Sequence, residues 1–411
     1  MKILYHHRVG SRDGQAVHID ELIHAFRSLG HEVVVVAPPG FERSPLGHES
    51  RVVAWIKQRL PQAFYELIEL SYNVPAYLRL GRALRRCRAD LIYERHGLFL
   101  VAGTLLGRRR GVPVFLEVNS PLADERAQFG GLALKRLAHW LEIWAWRRAG
   151  RVLPVTQVLA ATIGAAGVPA DQVSVIPNGI DPERFLRVYS STTAKDAVGL
   201  SGKTVLGFTG FMRSWHGLET VIEVLGRSTT PTSLHLLLIG DGPARPLLEQ
   251  RAVRLNVKDR VTFAGLVERD AIAQLMAAFD IALVPKAVEY ASPLKLFEYM
   301  ALGKAIVAPD QPNIREVLTP NVNAVLFKPE QANDMASAIL RLANDVGYRD
   351  QLGRAARAAI DARGFTWRAN AERIAALAQQ HRRARPIAGP VSGSEGTAIA
   401  GRPSTGRDRR C

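Results

Sequence analysis

Short apolar runs alternate along the chain with longer amphipathic segments, and this alternation predicts an α/β protein. Residues 33–36 are four valines followed by a Pro-Pro-Gly segment, a pattern typical of a strand buried on both faces of a parallel sheet. The apolar stretch at residues 2–6 predicts an earlier strand, and the amphipathic stretch at residues 16–29 predicts the helix between them. Strand, helix and strand in this order form a βαβ unit.

The same alternation predicts two series of parallel strands. The first series comprises residues 2–6, 33–36, 91–93, 114–118, 151–155 and 173–176. The second comprises residues 204–208, 234–239, 261–263, 281–284, 305–308 and 324–327. With helices between its strands, each series is a doubly wound, Rossmann-like domain. Turn-forming residues after the first series predict the junction, so we expect the domains to span residues 1–180 and 181–365.

The composition agrees with two folded domains and adds a preference for anionic partners. A chain of 411 residues is too long for one ordinary core, and 47% of its residues are hydrophobic. The formal net charge of +16 predicts attraction to nucleic acid, a membrane surface or phosphorylated substrates, without choosing among them. Residues 387–411 are rich in Gly, Pro, Ser, Thr and Arg and lack apolar periodicity, which predicts a disordered tail.

The cysteines and the N-terminus bear on location. Cys87 and Cys411 form neither a disulfide framework nor a metal-ligand pattern, which favours a reducing compartment. The apolar N-terminal stretch is too short for a secretory signal, and no segment approaches the ~20 apolar residues that span a bilayer. We therefore expect a cytoplasmic protein, either soluble or peripheral on the inner face of the cytoplasmic membrane.

The segment after the strand predicted at residues 281–284 is the best candidate for a ligand site, because ligands of parallel sheets bind at the carboxyl ends of strands. Ser292 suits a helix N-cap and Pro293 the first helical position, so we expect a helix start whose N–H groups bind a phosphate. Lys295 adds a positive charge, and Glu298 lies one turn after Leu294, where it can accept hydrogen bonds from sugar hydroxyls. The alternative is an ordinary capped helix with a solvated Lys and Glu.

Residues 284–304 as a whole resemble the C-terminal signature of the retaining family-4 glycosyltransferases of GT-B fold, in the variant of a bacterial branch that builds surface polysaccharides. In that family a Glu-x7-Glu motif contacts the donor sugar through its first Glu and the donor ribose through its second, and the N–H groups between them bind the diphosphate. The resemblance implies that Glu298 binds the ribose and residues 292–295 the diphosphate. Tyr290 stands where the first Glu would be, and Glu289 is one residue out of register.

Residues 207–218 resemble the strand, glycine loop and helix start where the family normally grips the diphosphate with an Arg and a Lys. Those two positions hold Phe211 and His216 in this chain. We expect Arg213, supported by Lys295, to supply the missing charge. The alternative for Arg213 is a surface residue on a glycine turn.

Two further loops resemble donor-binding or acceptor-binding parts of the family. Residues 261–267 resemble the transition that cradles the nucleotide base through its main chain, which implies base contacts at Gly265 and Leu266 or a purely structural role. The glycine loop before the first predicted helix occupies the position of a loop that can close over donor phosphates or the acceptor. We assign Gly14 to the donor and His18 to the acceptor.

His96 follows the third predicted strand, where the family often has a His near the reacting sugar. The alternative is a structural or solvated His. Glu117 and Asn119 follow the next strand on the same rim, and Asn119 is the better placed for a substrate contact, which we assign to the acceptor. The predicted catalytic set is His96 with Arg213 and Lys295.

Residues 365–368 and the helical segment after them resemble the closing helix of the family, so residues 366–386 are expected to cross back onto the first domain. The resemblance covers nearly everything up to residue 384. It implies sugar transfer from a UDP- or GDP-sugar to a hydroxyl acceptor, with a lipid-linked glycan as the expected acceptor. It also implies no metal or other cofactor.

A basic, Trp-containing segment at residues 132–151 predicts a helix on an anionic membrane surface. It carries Trp140, Trp144 and Trp146 among arginines, and residues 77–88 form a second basic stretch. The alternative is a half-buried helix whose tryptophans belong to the core.

Two other activities fit parts of the sequence. A nucleotide-sugar epimerase of the same fold would need acid and base carboxylates around the sugar rather than an acceptor groove. A nucleic-acid-binding protein would fit the charge, but we find no helix-turn-helix, zinc-finger or RNP-type motif. We therefore expect no nucleic-acid partner.

Overall fold

Two β-sheets, one in each half of the chain, organise the protein. The computed structural model describes residues 1–10, 14–38, 59–185, 190–331 and 333–384. The first sheet contains β1 (Lys2–His6), β2 (Glu32–Val36), β3 (Leu91–Arg95), β4 (Val114–Val118) and β5 (Arg151–Pro154). The second contains β6 (Thr204–Thr209), β7 (Leu234–Ile239), β8 (Val261–Gly265), β9 (Ile281–Leu283), β10 (Ala305–Pro309) and β11 (Val325–Phe327). All the strand pairings in both sheets are parallel, as predicted.

Helices connect most of these strands. In the first half they are α1 (Gly14–Ser28), α2 (Gln62–Ser71), α3 (Asn73–Cys87), α4 (Ala102–Arg110), α5 (Leu122–Phe129), α6 (Lys135–Arg148) and α7 (Gln157–Ala165). In the second half they are α8 (Pro182–Phe185), α9 (Ser191–Ala197), α10 (Leu218–Leu225), α11 (Arg245–Arg254), α12 (Arg269–Met276), α13 (Leu294–Ala301), α14 (Pro312–Arg315), α15 (Asp334–Asn344), α16 (Val346–Arg363) and α17 (Trp367–Ala384).

The strands are apolar because helices cover both faces of each sheet. Every residue of β4, β7 and β10 is buried. Neighbouring residues of one strand enter different cores: Phe115 packs with the cluster on one face of the first sheet, and Leu116 with the cluster on the other. This two-sided burial explains why the strands read as continuous apolar runs.

The strand order places a reversal of direction inside each sheet. The first sheet has the order β2-β1-β3-β4-β5, and the second has the order β11-β10-β9-β6-β7-β8. In the first sheet β2 lies on one side of β1, and β3 to β5 follow on the other side. In the second sheet β7 and β8 lie on one side of β6, and β9 to β11 follow on the other side. A crevice therefore opens at the carboxyl ends of β1 and β3 and at those of β6 and β9, and such crevices hold ligands in doubly wound folds.

One predicted strand is wrong. Residues 173–176 add no strand to the first sheet; a single parallel bridge joins Val173 to Val152. Two backbone bonds, from Ser174 N–H to the Val152 carbonyl (3.0 Å) and from Ile176 N–H to the Pro154 carbonyl (2.9 Å), hold the segment beside β5. Pro177 follows directly and offers no N–H to extend the ladder.

The last helix joins the two halves. Helix α17 packs along α1, and its Trp367 and Ile374 belong to the core of the first sheet. At its start the Trp367 N–H donates to the Ile180 carbonyl (3.2 Å), and Asn370 Nδ2 donates to the Pro177 carbonyl (2.6 Å). The helix therefore crosses back onto the first half, as predicted.

The predicted tail at residues 387–411 lies outside the described residues. Among the helices that the structure describes, none combines the length and the apolar character needed to cross a bilayer.

The tryptophans of α6, which the sequence placed on a membrane surface or in the core, differ in exposure. Trp146 is 2% exposed and Trp144 packs against the core, whereas Trp140 is 60% exposed. Most of the tryptophan surface of this helix therefore faces the protein.

Candidate active site

The crevice of the second sheet is organised by Tyr299 of α13. Its buried hydroxyl accepts the Thr209 N–H (3.0 Å) at the end of β6 and donates to the Leu283 carbonyl (3.5 Å) at the end of β9. The two strands on either side of the reversal are thus tied to one helix. As a result, the start of α13 and the glycine loop after β6 lie against each other.

The start of α13 differs from the prediction by one residue. Pro293, not Ser292, is the N-cap, and it provides no side-chain cap. Ser292 instead faces the connection between the two halves: its carbonyl accepts Asn178 Nδ2 (2.6 Å) and its Oγ accepts the Asn178 N–H (3.4 Å). Leu294 packs against the core of the first half. The Leu296 N–H donates to the Pro293 carbonyl (3.1 Å). Among the described residues no group accepts the N–H groups of Leu294 and Lys295, which are left to water or a ligand.

Lys295 lies against the glycine loop. Its Nζ is 3.7 Å from the centre of the Phe208 ring and would be 3.3 Å from a Cβ on Gly210, whose φ is 130°. A side chain at residue 210 would therefore be strained and would crowd the ammonium group. Burial lowers the pKa of Lys295 to about 7, although the charge of Glu298 acts in the opposite direction. An anion bound here would favour the protonated lysine.

Arg213 and His216 complete this side of the crevice. The Arg213 guanidinium lies over Phe211 (4.9 Å) and Trp215 (4.7 Å). His216 Nδ1 accepts the Arg213 N–H (3.4 Å), and burial, followed by the charges of Lys295 and Arg213, lowers the pKa of His216 to about 3. His216 is therefore neutral, and the positive charge comes from Arg213 and Lys295.

The predicted base contacts lie at the end of β8. Gly265 has a φ of 74°, and its carbonyl accepts the Gly240 N–H (2.8 Å). Leu266 follows it and is 64% exposed. Gly265 therefore joins the loops after β7 and β8, and Leu266 presents an apolar surface to solvent.

In the first half, Glu117 at the end of β4 gathers four polar side chains. Its carboxylate accepts hydrogen bonds from Tyr93 Oη (2.8 Å), Asn119 Nδ2 (2.6 Å) and an Arg95 guanidinium nitrogen. His18 Nε2 lies 3.1 Å from the same carboxylate. Burial opposes the charge of Glu117, but the positive charges of His18 and Arg95 and the hydrogen bonds from His18 and Asn119 hold its pKa well below the usual range. Both predicted acceptor residues, His18 and Asn119, are thus held by one buried carboxylate.

His96 is held by a second buried carboxylate, Glu142 of α6. His96 Nε2 is 3.1 Å from Glu142 Oε1, and the backbone N–H of His96 donates to the Glu117 carbonyl (2.8 Å). Glu142 also accepts the N–H groups of Leu122 (2.8 Å) and Ala123 (3.4 Å). One carboxylate therefore caps α5 and fixes the His96 ring.

A cavity of about 610 Å³ separates the two groups of residues. His96 and Glu125 of the first half line it together with Arg213 and Trp215 of the second. Gly14 begins α1 near this wall, and residues 11–13 before it lie outside the described residues. Of the predicted site residues, His96 and Arg213 line this cavity from the two halves, whereas Lys295 and Glu298 are not among the described residues that line it.

Tyr290 crosses between the halves. Its hydroxyl donates to Glu125 Oε2 (2.8 Å), and its carbonyl accepts Thr156 Oγ1 (2.9 Å). Burial, followed by the nearby charge of Glu125, raises the pKa of Tyr290 above its usual value. The phenol therefore stays a hydrogen-bond donor at neutral pH.

Two family models match this chain in succession. Residues 12–184 match the model described as Glycosyltransferase Family 4, and residues 203–345 match the model described as Glycosyl transferases group 1. Together they cover most of the chain. The chain is a family-4 glycosyltransferase.

Relatives of the enzyme have the same class of activity in their names. The 2-deoxystreptamine glucosyltransferase of Streptomyces kanamyceticus is 28% identical over 357 residues, which cover 80% of this chain and 89% of the relative. The GDP-mannose-dependent alpha-mannosyltransferase of Mycobacterium tuberculosis is 24% identical over 324 residues, which cover 77% of this chain and 80% of the relative.

Solved structures agree on the fold of this glycosyltransferase. HepE of Anabaena in complex with UDP gives a TM-score of 0.74 at 21% identity, covering 92% of this chain and 100% of HepE. WaaG, a glycosyltransferase involved in lipopolysaccharide biosynthesis, gives a TM-score of 0.67 at 16% identity, covering 92% of this chain and 99% of WaaG. The predicted GT-B fold of two facing Rossmann-like domains is confirmed.

Sequence reasoning missed several residues of the glycosyltransferase cleft. Glu142 looked like one polar residue in a basic helix, and Glu69, Glu125 and Arg126 belonged to no motif. Their partners are distant in the chain: Glu69 pairs with Arg126 and with Arg8, 3.3 Å away. A carboxylate on an otherwise apolar helix face, as at Glu142, was the one available signal.

Proposed function

We propose that this glycosyltransferase moves a sugar from a nucleoside-diphosphate sugar to an acceptor hydroxyl, with retention of anomeric configuration and without a metal ion. The observation that carries the proposal is that Lys295, in the first turn of α13, lies against Phe208 at the reversal point of the second sheet, with Arg213 near enough that both charges act on His216. Three positive features converge there, and a diphosphate is the ligand whose charge and shape they suit.

The reaction needs stabilisation of the leaving diphosphate. Negative charge develops on it as the bond to the sugar breaks, and fixed donors aimed at that charge lower the barrier. Lys295, Arg213 and the N–H groups of residues 294 and 295 perform this role in the proposal. His96, fixed by Glu142, contacts the reacting sugar from the opposite wall.

The donor is proposed to be a UDP- or GDP-sugar. HepE was solved in complex with UDP-glucose, and the mycobacterial relative is named for GDP-mannose. Glu298 binds the ribose, and Gly265 and Leu266 lie along the base. Glu298 and Lys295 both lie on α13, and the charge of Glu298 acts on Lys295, so the ribose and phosphate groups are bound by one helix.

Retention is supported by the relative named an alpha-mannosyltransferase. GDP-mannose is an α-linked donor, so an α-linked product keeps the configuration. We infer that the acceptor hydroxyl attacks from the face of the leaving diphosphate, whose oxygen takes the proton of that hydroxyl. No covalent bond between enzyme and sugar forms in this route.

The acceptor is proposed to be a glycan attached to a lipid through phosphate, used in surface-polysaccharide synthesis. Arg8 and Arg126 share the single carboxylate of Glu69 on the cavity wall. Two guanidinium groups on one carboxylate leave a net positive charge that favours an anionic acceptor.

A peripheral position on the inner face of the cytoplasmic membrane is part of this proposal. Helices α2 and α3 expose apolar side chains beside arginines, a combination that suits an anionic leaflet. The exposed apolar residues are Phe64, Leu67, Ile68, Val74 and Leu78. The exposed arginines are Arg82, Arg85 and Arg86.

Incubation with a panel of UDP-, GDP- and ADP-sugars, with and without a membrane lipid extract, tests the proposal. Sugar is expected in the lipid fraction, and NMR of the product is expected to show the anomeric configuration of the donor. An epimerised free donor without transfer would show an epimerase instead. An inverted linkage would disprove retention alone.

A further inference from the structure

Glu125 reaches the cavity with a partner from the other half of the protein. Helix α5 carries it to the wall shared with His96, and the Tyr290 hydroxyl donates to its Oε2 over 2.8 Å. Among the described residues no other hydrogen bond to the carboxylate of Glu125 is present. The second oxygen of a carboxylate that is only half-buried is therefore available to a ligand.

Tyr290 is fixed before any ligand binds. Its carbonyl accepts Thr156 Oγ1 (2.9 Å), and its ring packs against the core of the first half that contains Leu116 and Trp146. Because the backbone and the ring of Tyr290 are both fixed, the position of its hydroxyl is set. The carboxylate that accepts the hydrogen bond from this hydroxyl is therefore held in one place. The side chain of Glu125 thereby has one preferred orientation.

This orientation lies in the path of a sugar attached to the proposed diphosphate. Arg213 lines the same cavity, and the charges of Arg213 and Lys295 both act on His216, so the cavity adjoins these two cations. A sugar extending from them toward His96 enters the space beside Glu125. Vicinal hydroxyls donate well to a carboxylate, and hydrogen bonds to a charged acceptor are the strong ones.

We propose that Glu125 binds the hydroxyl groups of the transferred sugar and that Tyr290 is its positioning residue. This inference rests on the proposed function and names the group that selects the donor sugar. The sugar site is then composed of both halves: the phosphates lie on the second, and the hydroxyl-binding carboxylate comes from the first. Donor selectivity depends on how the halves meet at Tyr290.

The test compares binding of UDP, or GDP if the enzyme prefers it, with use of the corresponding sugar nucleotide. The variants are Glu125→Gln, Glu125→Asp and Tyr290→Phe, and the control is Asp124→Asn, an exposed carboxylate in the same turn. Glu125→Gln is expected to lower kcat/KM for the sugar nucleotide about 10- to 100-fold, because the sugar hydroxyls lose a charged hydrogen-bond acceptor. The Kd for the nucleoside diphosphate, which has no sugar to contact residue 125, is expected to stay unchanged. Tyr290→Phe is expected to lose less activity and to discriminate less between epimeric donor sugars.

The results separate this inference from the proposed function. A wild-type chain that neither binds a nucleoside diphosphate nor transfers sugar would overturn both. Normal transfer by wild type with unchanged donor selectivity in Glu125→Gln and Glu125→Asp would overturn the inference alone. So would a Glu125→Gln variant that raises the acceptor KM while sugar-nucleotide binding, measured without acceptor, stays normal, because Glu125 would then contact the acceptor.

Discussion

The ammonium nitrogen of Lys295 lies 3.7 Å from the centre of the Phe208 ring, directly where β6 ends. An aromatic face attracts a cation, but it replaces only part of the hydration that burial removes. The pKa of Lys295 consequently falls to about 7. The free protein therefore holds a partly neutral lysine at the place where the proposed ligand brings negative charge.

Binding of UDP is expected to be coupled to proton uptake at Lys295. The diphosphate raises the lysine pKa above about 7, so the affinity for UDP falls as pH rises through that range, by at most about tenfold per pH unit. Between about pH 7.5 and about pH 9 UDP is already ionised, since terminal phosphates titrate near 6. Calorimetry in two buffers of different ionisation enthalpy measures the uptake.

The Lys295→Met variant is the control for this coupling. It is expected to bind UDP more weakly and to lose the proton uptake, because it has no ammonium group to titrate. Equal binding enthalpies in both buffers for the wild type would contradict the role of Lys295.

The stability of the free protein should also depend on pH through Lys295. Since the pKa of Lys295 in the folded protein is below the unfolded value near 10.4, the free wild type should gain stability as pH rises from about 7 to about 10.

Glu298→Ala is expected to weaken donor binding about 10- to 100-fold, because the ribose hydroxyls lose a charged acceptor. Glu289→Ala is the matched control, since Glu289 is exposed on the loop that leads to α13. Titration with UDP and with uridine measures both. Unchanged affinity in Glu298→Ala, or equal losses in the two variants, would contradict the assignment of Glu298 to the ribose.

The sequence predicted what depends on local pattern. Apart from residues 173–176, the strands follow from apolar runs, and the helix start near Pro293 follows from turn chemistry at the end of a strand. The closing helix is expected from the resemblance to the family. The single-residue error at Ser292 arises because Asn178, 114 residues earlier, takes its hydrogen bonds. No local rule contains that partner.

The same limit applies to the cleft. Tyr290 and Glu125 are 165 residues apart, and Glu142 is 46 residues from His96, so each pair exists only after the halves and layers have packed. The net charge of +16 predicted an anionic partner. It did not show that Arg8 and Arg126 line the cavity. Arg8 and Arg126 become neighbours because α2 brings Glu69 between them.

Glu117→Gln is expected to lower the free energy of unfolding by about 3 kcal/mol, because it leaves the buried Arg95 without a charged partner. The folded pKa of Glu117 is below the unfolded value, so its contribution is present above about pH 4.3 and is lost as pH falls; the variant should flatten that acid dependence. Urea unfolding at several pH values measures both effects. Glu32→Gln, in the exposed pair with Lys2, is the control and should change stability by less than about 1 kcal/mol. Equal effects of the two variants would contradict the role assigned to Glu117.

Arg126→Gln is expected to raise the KM about tenfold for an acceptor glycan carried on a lipid diphosphate, since one charged hydrogen bond contributes about 1.5 kcal/mol or more. The KM for the same glycan on an uncharged octyl chain should stay unchanged, because the cavity wall then has no anion to bind. Glu69 keeps its bond to Arg8 in the variant, so the fold should be retained, and thermal unfolding checks this. Arg148→Gln removes the same charge from an exposed position on α6 and controls for the overall field. Equal losses in both variants would show that the acceptor senses net charge rather than Arg126, and equal losses on both acceptors would place Arg126 outside phosphate recognition.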